Sequence, residues 1–161
     1  PTFTVPEPYI GKQGAKVYSL QNPTEKMSKS DPDINATISL LDDPDAVMRK
    51  FKRAVTDSDG VIAFSDDKPG ISNLLTIFSA VTDKEIADIV KDFEGRGYAE
   101  LKKEVGEAVV EFLKPIQNEY KHLINDKQYL LSVAKDGAQK AEAIARRTLS
   151  KVYKKIGLVE R

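Results

Sequence analysis

From Tyr98 to Leu123 apolar residues return every three or four positions: Tyr98, Leu101, Val105, Ala108, Phe112, Ile116, Tyr120 and Leu123. At 100° per residue this spacing lays them along one stripe of a long helix, which must bury that stripe against other elements. The same periodicity recurs on both sides. Asp42 or Asp43 caps a predicted helix with Pro44 at its first position and Val47, Met48, Phe51, Ala54 and Val55 on its apolar face; residues 56–60 stop it. Ile71–Ala80 reads as a buried helix through Leu74, Leu75, Ile77 and Phe78. Thr82-Asp83-Lys84-Glu85 fits a capping box that opens a helix carrying Ile86, Ile89, Val90 and Phe93. Asp126 predicts a helix to about Lys135, Gly137 separates it from a last one over residues 138–155, and Gly157 ends that one. Pro115 removes a backbone donor inside the long run and predicts a kink. The expected fold is mainly α, a helical bundle.

The start of the chain is different. Residues 1–14 are punctuated by Pro and Gly and begin without Met, as though in mid-loop, so the chain is expected to be part of a longer one. Gly11–Lys16 imitates a glycine-rich phosphate loop, but it lacks the Gly-Lys-Ser/Thr ending and precedes a strand; it reads as a turn. Ala15–Leu20 predicts that short strand, with Val17 and Tyr18 supplying β-propensity, and residues 21–24 break it. Thr37–Leu41 is apolar and of ambiguous type.

Between the strand and the helices stands Lys26-Met27-Ser28-Lys29-Ser30, followed by Asp31-Pro32. Two ammonium groups three residues apart, two hydroxyls and free backbone N–H groups are the parts that hold polyphosphate oxygens. Such a loop belongs just outside the carboxyl end of a strand, where this one lies. Ser30 or Asp31 can cap a helical turn with Pro32 near its first position, and an anion beside that turn would gain from its N–H groups. Only Met27 offers an apolar anchor, so the loop is expected to be exposed.

Lys plus Arg equals Asp plus Glu at 25 each, so a nucleic-acid role has to rest on local patches. Two are visible. Arg49, Lys50, Lys52 and Arg53 share five residues with no acid. On the last helix Lys140, Arg147, Lys151 and Lys154 fall within about 60° of one another, with Ala141, Ala145, Leu149, Val152 and Ile156 opposite. Each patch reads either as an RNA-backbone footprint or as a solvated face. The absence of cysteine removes disulfides, thiolate nucleophiles and Cys-based zinc sites, and suits a cytoplasmic setting. His122, the one histidine, cannot form a His-rich metal site; no metal ligands are assigned. No apolar run reaches membrane length and no signal-peptide core is visible.

The pentapeptide 26–30 matches KMSKS, the second signature of class I aminoacyl-tRNA synthetases, letter for letter. Chance would supply it in a chain this long with a probability on the order of 10⁻⁴, so the match carries weight. With "KMSKSDPD", "LLDDPD", "KRAVTDSDG", "PGISNLLTIFSAVT" and "AVVEFLKPIQNEY", essentially the whole chain resembles the bacterial-type tryptophanyl-tRNA synthetases. The tyrosyl enzymes are the nearest alternative, and a stand-alone helical RNA-binding or interaction module without catalysis is another. The resemblance implies ATP-dependent activation of tryptophan to the adenylate, with magnesium bound through the phosphates, and transfer to tRNA(Trp). By position, Lys26 and Lys29 would stabilise the leaving pyrophosphate, Ser28 and Ser30 would add hydrogen bonds, and Met27 would lie against the adenosine. It further implies residues 1–33 as the end of a Rossmann-type catalytic domain, its last strand and KMSKS loop, and 34–161 as an anticodon-binding-like, tRNA-binding helical domain. There Arg49, Lys50, Lys140, Arg147, Lys151 and Lys154 would meet phosphates. The family's first, His-containing signature is absent, and His122 in "YKHLIN" does not match it. The chain therefore resembles a C-terminal half, expected to be inactive alone, of a cytoplasmic homodimeric enzyme.

Overall fold

The computed structural model describes residues 2–11 and 16–159. Five helices follow one another: α1 (Pro44–Arg53), α2 (Pro69–Thr82), α3 (Ile86–Asp92), α4 (Tyr98–Leu123) and α5 (Lys127–Ile156). The chain divides into two compact units, Ile10–Asn118 and Pro1–Tyr9 with Glu119–Arg161.

In the larger unit the helices form where their local chemistry starts and stops them. Asp43 accepts a hydrogen bond from the Ala46 N–H at 2.8 Å, and Pro44, which has no N–H to satisfy, opens α1. Val47 and Phe51 of α1 are wholly buried, whereas Val55, expected inward, lies past the helix end and is 44% exposed. α2 is apolar around most of its circumference and is the buried centre of the unit, with Ile71, Leu74 and Leu75 out of contact with water. α4 brings Leu101, Val105, Val109 and Leu113 to the same core and continues through Pro115. Phe78 of α2 meets Phe93 edge-to-face at 6.1 Å, and Arg96 lies 4.4 Å over the Phe93 ring while reaching Glu100 and Glu104.

The expected capping box does not form as such. Thr82 ends α2, its hydroxyl donating back to the Phe78 carbonyl at 2.6 Å, and Asp83 takes the left-handed cap at φ 58°. Thr82 thus serves the helix behind it instead of the one ahead.

The predicted strand is also replaced. Its first residue, Ala15, and the turn over residues 12–14 lie outside the described residues. Over the rest, no strand occurs among the described residues, only an isolated antiparallel bridge between Tyr18 and Lys26. A strand needs continuous lateral partners. Residues 17–20 find separate ones instead: the 25–27 backbone, one side chain of α2, and the backbones of Ala36 and Val55.

In the smaller unit Asp126 accepts from the Tyr129 N–H at 2.9 Å and opens α5. The two helices expected here are one, thirty residues long, running through Gly137. A single interior glycine costs only about 1 kcal/mol, which the good helix formers around it offset. Gly157, at φ 74°, ends it. No residue of α5 is buried, and Leu131 and Ile144 are 70% and 71% exposed. No helix among the described residues is long and apolar enough to cross a membrane.

Candidate functional site

The lysine loop grows from a short paired stem. Ser19 N–H donates to the Glu25 carbonyl at 2.9 Å and Met27 N–H to the Val17 carbonyl at 3.0 Å, so Tyr18 and Lys26 face each other across the pair. Leu20, 2% exposed, is clamped on both sides: its N–H donates to Ala36 O at 2.9 Å, and its carbonyl accepts from the Val55 N–H at 2.7 Å. The loop that leaves this stem is held by its own polar groups. Ser28 and Ser30 hydroxyls lie 3.0 Å apart, and Thr37 Oγ1 donates to the Ser28 carbonyl at 2.7 Å.

Lys26, Ser28, Lys29 and Ser30 are exposed as expected, with Met27 half-buried against the core cluster. Neither lysine has an ion-pair or hydrogen-bond partner among the described residues. The helical turn expected after the loop is a series of non-helical turns, closed by Asp31 and Asp33 carboxylates accepting from the N–H groups of Asp33 and Asn35. Those two N–H groups are spent within the chain and are not open to an anion.

The basic residues of the two patches separate on inspection. Arg49 and Lys52 are exposed on α1 and, with Lys102 and Lys103 of α4, line an open groove of about 790 Å³ floored by Met48 and Ala99. Burial lowers the Lys102 ammonium from its ordinary range. None of residues 26–30 lines this groove. Lys50, expected on the outer basic face, departs from it. Its ammonium is turned inward, 2.6 Å from Asp42 and 2.8 Å from the Thr37 carbonyl, and the residue is 6% exposed. The aliphatic stem is packed and the charge is matched locally, so Lys50 holds the 37–42 segment to α1 instead of presenting charge to solvent. On α5, Lys140, Arg147, Lys151 and Lys154 are all exposed.

Sequence reasoning missed two groups. Lys68, 8% exposed at the entry to α2, binds Asp57 and Asp59, and the Tyr98 hydroxyl completes the cluster through Asp57, Asp59 and the Val61 carbonyl. The hydrogen bond from Lys68 holds the Asp59 carboxyl well below the ordinary range, and Asp59 in turn raises Lys68. The acid-rich stretch TDSDG, read only as a helix stop, is therefore one half of an ion cluster. The second is Asn73, 4% exposed, whose side chain bonds the Tyr18 backbone at the foot of the lysine loop. A polar residue inside the apolar run Ile71–Phe78 was its signal.

Residues 2–114 match the family model described as tRNA synthetases class I (W and Y). Tryptophan–tRNA ligase of Clostridium tetani (strain Massachusetts / E88) is 48% identical over 159 residues, 99% of this chain and 47% of the relative. That of Caldanaerobacter subterraneus subsp. tengcongensis is 50% identical over 161 residues, covering 99% and 49%. Among solved structures, tryptophanyl-tRNA synthetase from Mycoplasma pneumoniae superposes with a TM-score of 0.82 at 30% identity, over 92% of this chain and 45% of that one. The Campylobacter jejuni enzyme complexed with ADP and tryptophan gives 0.67 at 28% identity, over 98% and 48%. The chain spans about half the length of these relatives. It belongs to the class I tRNA synthetases of the W and Y family.

Proposed function

We propose that this chain is the C-terminal part of a tryptophan–tRNA ligase, with residues 26–30 as its ATP-phosphate loop. The observation that carries the reading is the pair of exposed lysines on a loop whose stem is fixed. Tryptophan is favoured over tyrosine because the relatives 46–50% identical along the chain carry the tryptophan name.

In the reaction, a tryptophan carboxylate oxygen bonds to the α-phosphorus of ATP and the bond from that phosphorus to the β-bridging oxygen breaks, releasing pyrophosphate. Lys26 and Lys29 stabilise the charge gathering on the leaving group, Ser28 and Ser30 donate hydrogen bonds to its oxygens, and the Met27 backbone lies along the adenosine. Residues 26–30 contain no carboxylate; magnesium held through the ATP phosphates would supply charge neutralisation there, beside Lys26 and Lys29. The 3′-terminal ribose hydroxyl of tRNA(Trp) then takes the tryptophanyl group and AMP leaves. Arg49 on α1, and Lys140, Arg147, Lys151 and Lys154 on α5, are the residues proposed to meet tRNA phosphates; Lys50 supports this only through the fold. Residues 1–33 form the end of the catalytic domain and 34–161 the tRNA-binding part of a homodimeric, cytoplasmic enzyme.

The test is single-turnover adenylate formation in the full-length protein. Lys26→Ala or Lys29→Ala should each slow it about 10²- to 10³-fold with tryptophan affinity unchanged. Normal rates in both variants would remove residues 26–30 from the reaction.

A further inference from the structure

We infer that Asn73 is a positioning residue for the lysine loop, acting from α2 through the backbone of Tyr18. This rests on the phosphate-loop reading above. Tyr18 N–H donates to Asn73 Oδ1 at 2.9 Å, and Asn73 Nδ2 donates to the Tyr18 carbonyl at 2.9 Å. One carboxamide thus satisfies both backbone groups of a residue 55 positions away in the chain. Tyr18 is also the residue that faces Lys26 across the stem, where the flanking bonds of Ser19 and Met27 take up the other edge. Asn73, Tyr18 and Lys26 therefore stand in a row, and the root of the first loop lysine takes its place from a buried side chain of α2.

α2 is well suited to serve as the reference. Its flanking residues Ile71, Leu74 and Leu75 are in the core, and at its first turn Gly70 lets the helix approach the 55–56 backbone so closely that a Cβ would lie 2.3 Å from the Val55 oxygen. Val55 in turn donates to Leu20. The stem is thus referenced to α2 by the Asn73 amide and by the Gly70–Val55–Leu20 contact. An apolar residue at 73 would pack as well in that run but would leave two half-buried backbone groups of Tyr18 without this partner. Charge-stabilising groups lose effect steeply when displaced, and a shift of about 1 Å can cost about 10²-fold in rate. A fixed root for Lys26 is therefore of direct use to the reaction.

The experiment has two arms. On this chain, amide hydrogen exchange is followed in Asn73→Leu and in Asn73→Asp, which keeps the acceptor for Tyr18 N–H and loses the donor. Asn73→Leu should release Tyr18 and Met27 together while the amides of α4 stay protected, and Asn73→Asp should keep Tyr18 partly protected. Release of Tyr18 alone would overturn the inference, because the stem would then hold without Asn73. In the full-length protein, Asn73→Leu should lower the adenylate rate about 10-fold or more with tryptophan KM unchanged. The Lys26→Ala, Asn73→Leu double variant should be no slower than Lys26→Ala alone. Losses that multiply would overturn the positioning role while leaving the lysine-loop reading intact. Normal turnover in both Lys26→Ala and Lys29→Ala would instead remove the lysine-loop reading, and the exchange arm alone would then decide whether Asn73 fixes the stem.

Discussion

α1 and α5 look alike as sequences, each with a basic side and an apolar side, yet they end in opposite situations. α1 places Val47 and Phe51 at 1% and 0% exposure, in a core shared with α2 and α4. α5 buries nothing, and its Ile144 and Leu131 face solvent. An amphipathic pattern states that a face favours cover, and only the arrangement of neighbours decides whether it receives any. The lesson extends to charge. Lys50 and Lys140 both belong to basic runs, but Lys50 is drawn into an ion pair with Asp42 because Asp42 and the Thr37 carbonyl stand within reach of its ammonium.

The largest test of this contrast is truncation of apolar residues in both regions. Phe51→Ala should destabilise the larger unit by about 3–5 kcal/mol, whereas Ile144→Ala should change stability by less than about 0.5 kcal/mol. Urea unfolding of both variants measures this, and a comparable cost at Ile144 would mean that α5 is covered after all.

A sharper comparison uses one substitution at two helix glycines, with opposite expected signs. At Gly70 a methyl group would collide with the Val55 carbonyl, so Gly70→Ala should cost about 1–3 kcal/mol. At Gly137 nothing lies within 4 Å of the added carbon, and Gly137→Ala should stabilise α5 by up to about 1 kcal/mol. Thermal unfolding gives both signs.

The smallest effect is an alkaline one, confined to the larger unit. Burial, aided by hydrogen bonding to Asp57 and Asp59, pushes the Tyr98 hydroxyl from 10.0 up to about 12. Because the folded chain keeps that proton longer than the unfolded one, the associated stability is complete below pH 10.0 and is lost as pH rises towards about 12. Lys68, raised above 10.5 chiefly by Asp59, acts in the same direction. Unfolding midpoints followed across that window should fall more steeply for the unaltered chain than for Tyr98→Phe.

Helix starts and stops were legible because they depend on few neighbours: Asp43-Pro44, Asp126 and Gly157 act within one turn. The exposure of the lysine loop was legible for a similar reason, since residues 26–30 are a contiguous polar string with Met27 as the one apolar side chain. Competition between local signals was not legible. Thr82 could cap forward or bond backward, and the αL turn at Asp83 chose the second. Gly137 could end a helix or be carried through one, and the residues around it carried it. Least legible were long-range pairings such as Lys68 with Asp57 and Asp59, or Asn73 with Tyr18, since their separation in sequence leaves no periodic trace.

The bond between Asn73 and Tyr18 also bears on how the chain behaves among its own copies. Val17-Tyr18-Ser19-Leu20 has strand-forming residues at Val17 and Tyr18, and an open backbone edge of this kind is a template on which another extended chain can add. At Tyr18 both groups that such a chain would need are already occupied by a single side chain that has no further residue to offer. Asn73 therefore leaves Tyr18 with no free backbone group on which another extended chain could pair.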